Sequence, residues 1–485
     1  MNEVCIIRRT YGIVAILVIS VILSGCVSGG GEQETTTPAP TTAAPTTAAP
    51  TEPPKPSGMD DAWGMQYHGF YNSNYSTSAL SGTPEVLWYK DGIVNGPAII
   101  EYGMVYVPVQ KLNDVNSTRL VCLDIQDGSL EWEHALDYNR SVSCGRDNHY
   151  RAAALSDGKV VYLSCGSSCT LQCFDAYNGT LLWRSTIDEA YQVYQTPVIY
   201  EGKIYTAYMN SVCDVEAETM PEDMNDGTVC CYDLDSGAMV WEEDFDMALF
   251  GMPTIYEGNV YIAAVDGSTA IGYLLCLGAE DGELLWMNEL LDDDRRIFYI
   301  DEPIWQIAYG HGNIYVTLFD YDKEWEFFGY CSVVCLDPAT GEMKWEFRTD
   351  NGTFFDSHLV VSEEYVYFGS LWNRGDGNDA TEICKLDPAN GNMLWQEEVP
   401  NFMNFVSMGS NTLYLGDSES VYDAAAQRWV RTNHMYGING TSGAQNWHFS
   451  EVPDYLDMVL YDGNNPAISD GYMVVTLGFR LYCFS

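Results

Sequence analysis

Residues 121–132 read VCLDIQDGSLEW and residues 172–183 read QCFDAYNGTLLW, so Cys, Asp, Gly and Trp return at fixed offsets. The frame recurs as CYDLDSGAMVW (231–241), CLGAEDGELLW (276–286), CLDPATGEMKW (335–345), KLDPANGNMLW (385–395) and GINGTSGAQNW (437–447). Asp or Asn can accept hydrogen bonds from nearby amides, Pro presets φ, and Gly takes the left-handed position that closes a short hairpin. Each copy therefore predicts two strands around a tight turn. A second hairpin lies upstream of each, clearest in TPVIYEGKIYTAY (196–208) and MPTIYEGNVYIAA (252–264). Short runs rich in Val, Ile and Tyr, parted by Gly turns, predict an all-β repeat array with four strands to a unit. Four antiparallel strands make one blade of a β-propeller.

Counting the anchors gives the size of the ring. Trp88, Trp132, Trp183, Trp241, Trp286, Trp345, Trp395 and Trp447 predict an eight-bladed β-propeller over residues 84–485. Trp88 lies on PEVLWYK with no three strands before it, and the C-terminus supplies PAISDGYMVVTL and LYCFS with no fourth strand. The N-terminal strand is expected to close the last blade, which leaves that blade no open edge.

The Ala-x-Asp-x-x-Thr-Gly-x-x-x-Trp spacing resembles the tryptophan-docking motif of pyrroloquinoline-quinone (PQQ)-like propellers. The resemblance implies that each indole packs between neighbouring blades, so that the repeated residues fasten the ring. Cys stands for the usual Ala at Cys122, Cys173, Cys231, Cys276, Cys335 and Cys483, another small residue suited to a buried site. Enzymes of this kind carry PQQ, Ca²⁺, an Asp base and a vicinal disulfide over the quinone. Here only the pair Cys230-Cys231 matches, Cys231 already belongs to the blade frame, and no loop matches the Ca²⁺ and base motifs. The resemblance also extends to PQQ-like lipoproteins that assist envelope assembly.

Residues 1–25 carry Arg8 and Arg9 and then the apolar run GIVAILVISVIL, the pattern of an export signal too short to span a bilayer comfortably. LSGC ends at Cys26 and resembles a lipobox, which implies a diacylated Cys26 at the mature N-terminus on the outer face of the cell membrane. Residues 26–58, mostly Thr, Pro, Ala and Glu, have little to bury and read as an extended stalk, followed by a lead-in at 59–83. Sequons stand at Asn74, Asn116, Asn139, Asn178, Asn351 and Asn439.

With 69 acidic against 22 basic residues the net charge is −47, which repels nucleic acid and anionic lipid and favours cations or basic partners. Cysteines outside the frame leave disulfide pairing open, Cys144 with Cys165 or Cys169 being one candidate. Oxygen ligands at Asp376, Asn378, Asp379 and Glu382 on a Gly-rich loop make a weak candidate Ca²⁺ site that lacks the full spacing. No nucleophile-elbow, zinc-helix or phosphate-loop motif appears, and the seven His form no spaced cluster. The expectation is a lipid-anchored surface propeller that binds or scaffolds other envelope or surface proteins and carries no catalytic residue or cofactor. A quinoprotein dehydrogenase and a polysaccharide-binding adhesin are the alternatives. Cys26→Ser is expected to release the mature chain into the medium or to leave an unprocessed precursor, read by membrane fractionation and fatty-acid labelling.

Overall fold

Alternating Val, Ile and Tyr between Gly turns produce strands throughout the computed structural model, with no helix among the described residues. Those residues are 64–65, 68–69, 71–80, 82–91, 96–111, 114–136, 153–165, 169–187, 196–209, 226–291, 295–297, 304–322, 329–349, 358–372, 380–399, 405–423, 428–452, 465–478 and 480–485. Eight antiparallel sheets form an eight-bladed propeller. Blade 1 takes Ile99–Glu101, Met104–Lys111, Asp114–Asp124 and Leu130–Ala135 as inner, second, third and outer strands. Blades 2 to 7 repeat the plan within residues 154–187, 198–245, 248–289, 304–348, 358–399 and 405–451. Blade 8 joins Ala467–Ser469, Tyr472–Leu477 and Arg480–Phe484 to an outer strand, Val86–Asp91, from the opposite end of the chain. Trp88 lies opposite Cys483, and Glu85 and Ser485 exchange backbone hydrogen bonds at 3.1 and 3.2 Å.

Neighbouring blades are fastened at the turn before each outer strand. The glycines of seven turns, Gly128, Gly179, Gly237, Gly282, Gly341, Gly391 and Gly443, all have φ between 68° and 74°. Each faces the six-membered ring of the preceding blade's tryptophan, from Trp88 on Gly128 to Trp395 on Gly443. A Cβ at Gly282 would lie 2.6 Å from Trp241, and one at Gly179 2.6 Å from Trp132, so glycine is required both by φ and by the ring above it. The indole N–H then donates to a carbonyl of the next blade: Trp88 to Ile125 (2.8 Å), Trp132 to Ala176 (2.9 Å), Trp183 to Leu234 (2.9 Å), Trp241 to Ala279 (3.0 Å) and Trp345 to Pro388 (2.9 Å).

A tyrosine of the second strand works beside several of these tryptophans. Tyr106 and Trp132 donate to the same Ala176 carbonyl, and Tyr205 and Trp241 to the same Ala279 carbonyl, with ring centroids 6.0 and 6.1 Å apart. The frame cysteines lie directly across from their tryptophans, as Cys231 does from Trp241, and all six are buried free thiols.

Two interfaces depart from the pattern. In blade 6 the frame position is Lys385, whose Nζ shares the Gly440 carbonyl with the Tyr367 hydroxyl, both at 3.1 Å, and the Trp395 N–H is left without an acceptor. Trp447 faces blade 8, where the chain ends replace the third-to-outer turn, and it packs edge-on against Tyr414 and Phe484 instead.

The inner-to-second turns follow a different rule. Glu201-Gly202, Glu257-Gly258 and His311-Gly312 each place two successive residues at positive φ, the two-residue primed turn that matches strand twist. Gly258 (φ 75°) has open space around it, whereas Gly282 (φ 74°) lies under an indole. Gly258→Ala is therefore expected to cost only the left-handed strain, about 1–2 kcal/mol. Gly282→Ala adds overpacking of about 1–3 kcal/mol, so thermal melts should place it clearly below Gly258→Ala.

Candidate functional site

Inner strands of a propeller present an unpaired backbone edge to the central channel, and unmet donors there are costly. The lead-in chain meets these donors blade by blade. The carbonyl of Gly64 accepts from Leu155 N in blade 2 (2.7 Å), and Met65 Sδ from Ile199 N in blade 3 (3.4 Å). Asn72 Nδ2 donates to Pro253 O (3.1 Å) and Thr254 Oγ1 (2.7 Å) in blade 4, while Tyr71 O accepts from Tyr309 N in blade 5 (2.9 Å). Ser73 O accepts from Val361 N in blade 6 (2.8 Å), Asn74 O from Met408 N in blade 7 (2.9 Å), and Ser78 Oγ from Asp470 N in blade 8 (2.8 Å). The described residues between Gly64 and Ser78 thus contact blades 2 to 8 as a collar, pairing in parallel with blade 7 at Tyr75–Ser76.

The collar curls because Asn72 and Asn74 both adopt φ 52°, a left-handed conformation that asparagine tolerates better than other non-glycine residues. Both are fully buried. Gln306 ties them together: its Nε2 donates to Asn72 O (2.6 Å) and its Oε1 accepts from Leu359 N (3.0 Å) and Asn74 Nδ2 (3.4 Å). The sequon at Asn74 is therefore not a glycosylation site of the folded chain, since its amide is spent on Gln306 and the Leu359 carbonyl. The Asn178 side chain is exposed, and Asn439 occupies the Asp position of its turn, accepting from Thr441 N and Ser442 N at 3.0 Å.

The collar crosses close to the turns that join inner to second strands, at the mouth where those turns gather. Because the strands of a blade are antiparallel, the ends of its second and outer strands lie at the other end of the ring. At the turn mouth Tyr256 and Tyr309 stack with centroids 3.6 Å apart and planes 17° apart. Tyr71 lies against both, at 6.5 and 5.3 Å, and remains 40% exposed. Carboxylates surround them: Glu257 Oε1 accepts from Tyr256 OH (2.9 Å), and Glu201 stands beside Tyr200. Burial, Tyr309 and Glu257 hold the Tyr71 phenol above its ordinary range, so it is neutral at physiological pH.

Other titratable groups are placed as follows. Asp320 is fully buried, and its carboxylate accepts from Arg295 Nε (2.9 Å), Arg348 Nη2 (2.6 Å) and Ser332 Oγ (2.7 Å), a saturated structural network. Burial raises its pKa, opposed by the two guanidinium groups. His434 and His448, fourteen positions apart, are brought together on adjacent strands of blade 7, Nδ1 to Nε2 at 3.2 Å with ring planes 9° apart. Their spacing in sequence carries no metal pattern because the contact is diagonal across an antiparallel register. Asp376, Asn378 and Asp379 lie outside the described residues, as does Cys26, and Glu382 is register partner to Glu398 in blade 6. Cys169 is disulfide-bonded to a cysteine whose side chain lies outside the described set.

A family profile described as "Outer membrane protein assembly factor BamB", PQQ_2, matches residues 73–219, 170–290 and 270–452. The chain belongs to this family. A quinohemoprotein alcohol dehydrogenase of Comamonas testosteroni is 20% identical over 416 residues, 74% of this chain and 53% of that protein. The PQQ_2 chain thus spans about half the length of the curated relative it matches. The crystal structure of the Comamonas testosteroni enzyme superimposes with a TM-score of 0.60 at 12% identity, over 87% of this chain and 80% of the other. A europium-containing methanol dehydrogenase gives 0.58 at 12%, over 88% and 98%. At such identities these likenesses speak to the fold.

The vicinal pair of this PQQ_2 propeller does not fit a cover over a quinone. Cys230 and Cys231 are separate buried thiols in the third strand of blade 3, with Cys231 pushed up to about 12 by burial and Cys230 also raised. Cys230 Sγ lies 3.6 Å from the Thr206 carbonyl and Cys231 faces Trp241, so both are taken up within the blade.

Asn72→Ala removes the three blade 4 bonds, to Met252 O, Pro253 O and Thr254 Oγ1, and leaves Pro253 O without that donor. A loss of about 1–3 kcal/mol is expected in urea melts, and deleting residues 59–80 should lower the melting temperature far more than deleting the stalk, 32–57. Peptide mapping of the chain purified from its host should find Asn74 unmodified.

Proposed function

We propose that this chain is a lipid-anchored cell-surface propeller that binds and scaffolds other envelope proteins. The observation that carries the reading is the PQQ_2 match across residues 73–452, a family described by its envelope-assembly member. The lipobox ending at Cys26 and the Thr/Pro-rich stalk support an anchor that holds the ring off the membrane. The repeated motif adds to this, because its Cys, Gly and Trp serve blade-to-blade packing. A rigid ring that carries turns and a collar at its mouth suits recognition by surfaces.

Removal of the chain from its host tests the reading. The expected outcome is loss of other surface proteins from the envelope, restored by the wild-type chain and not by Cys26→Ser. An unchanged envelope, together with saturable PQQ binding and dye-linked alcohol oxidation by the purified protein in Ca²⁺, would replace this reading with the dehydrogenase.

A further inference from the structure

Building on the binding role proposed above, we infer that the turn mouth of the propeller is a docking surface for a basic segment of a partner protein. A lysine or arginine of that segment seats on the rings of Tyr71, Tyr256 and Tyr309. Three features of the mouth point to this occupant.

The first is the aromatic surface itself. Tyr71 stays exposed although its carbonyl accepts from Tyr309 N and the side-chain amide of the following Asn72 is held by blade 4. Its ring is held out by the collar against the Tyr256–Tyr309 stack, whereas Asn72, Asn74 and Ser76 are buried. An added Cβ at Gly202, Gly258 or Gly312 would meet no atom within 4 Å, so the turns of blades 3, 4 and 5 around these rings are open.

The second is charge. Asp157, Glu201, Glu257 and Asp470 stand at left-handed turn positions, and Glu363 and Glu364 lie in the blade 6 turn between Val361 and Val366. Lys159 and Lys203, which follow two of these turns, already pair with Asp235 (2.9 Å) and Glu280 (2.7 Å) of the neighbouring blades. His311 is held toward its neutral form by burial and contacts Tyr315 OH. A face of this sign attracts cations over distance and repels acidic partners.

The third is a precedent within the same end of the ring. At the blade 6 turn the ammonium of Lys385 sits 3.4 Å from the ring centroid of Tyr365, beside Glu364. The mouth tyrosines of blades 4 and 5 offer the same kind of face, with Glu257 in the place of Glu364. A cation over an exposed aromatic face contributes about 0.5–1 kcal/mol, and more as it is desolvated.

The test uses the mature full-length protein carrying Cys26→Ser, with fluorescence anisotropy of a labelled lysine–glycine repeat peptide. Near-physiological salt is used, which screens charges beyond about 8 Å. Saturable binding of the lysine peptide is expected, with none for a glutamate–glycine peptide. Tyr71→Leu should weaken binding about fivefold, the scale of one cation–π contact, while Tyr71→Phe retains it. Neutralising a distant turn, Asp281→Asn, should change little. Equal affinities for wild type, Tyr71→Leu and Tyr71→Phe, or equal weakening by Asp281→Asn, would reduce the effect to bulk acidity and overturn the inference. Binding of a neutral oligosaccharide in place of the peptide, lost in Tyr71→Leu, would overturn it in favour of a sugar site. Failure of the peptide with envelope assembly still dependent on the chain would sink this surface alone, whereas an unaffected envelope would sink the scaffolding role itself.

Discussion

The ring depends on an indole lying on a glycine. A tryptophan on the outer strand of one blade can approach the next blade only where that blade's turn has no side chain, and the left-handed φ of Gly128, Gly179 and their equivalents supplies such a place. Once the ring is down, its N–H reaches the carbonyl three residues before the glycine, and in several blades the second-strand tyrosine reaches it too. The small thiol across from six of the eight tryptophans leaves room for the indole beside a tightly packed sheet. Cys, Asp, Gly and Trp recur together because they belong to one contact, in which the Gly–Trp pair is made seven times and the other positions vary in single blades.

That contact also gives the molecule two unlike ends. Turns, glycines and indoles gather at one end, and the inner-strand edges there are met by the collar between Gly64 and Ser78. The ends of the second and outer strands lie at the opposite end. The mouth where the inner-to-second turns gather takes its shape from Tyr71, Tyr256 and Tyr309. The departures in blades 6 and 7 show how much variation the fastening tolerates. Lys385 takes the carbonyl that a tryptophan would use, and its charge rests on Tyr365 and the Gly440 carbonyl.

The blade count, the hairpins and the closing strand were all legible in the residues, because each is a local pattern written several times. Trp88 with no preceding strands, and Cys483 with no following one, sufficed to pair the chain ends, since an unpaired sheet edge is unfavourable. The vicinal cysteines were legible in part: alternation along a strand assigns Cys231 to the frame, but that both thiols remain free and buried is a property of packing.

What the sequence determined, then, is everything that repeats: strand, turn, fastening residue and their number. Tertiary structure alone decided what occurs once. YNSN at 71–74 looks like a polar linker with a sequon, and becomes a buried collar only because seven blades converge on an axis with unmet backbone donors. His434 and His448 meet through strand register, and Tyr71, Tyr256 and Tyr309 meet because the collar passes between blades 4 and 5. Such contacts join residues tens to hundreds of positions apart, and no local period records them, since their partners are chosen by the closed geometry of the ring.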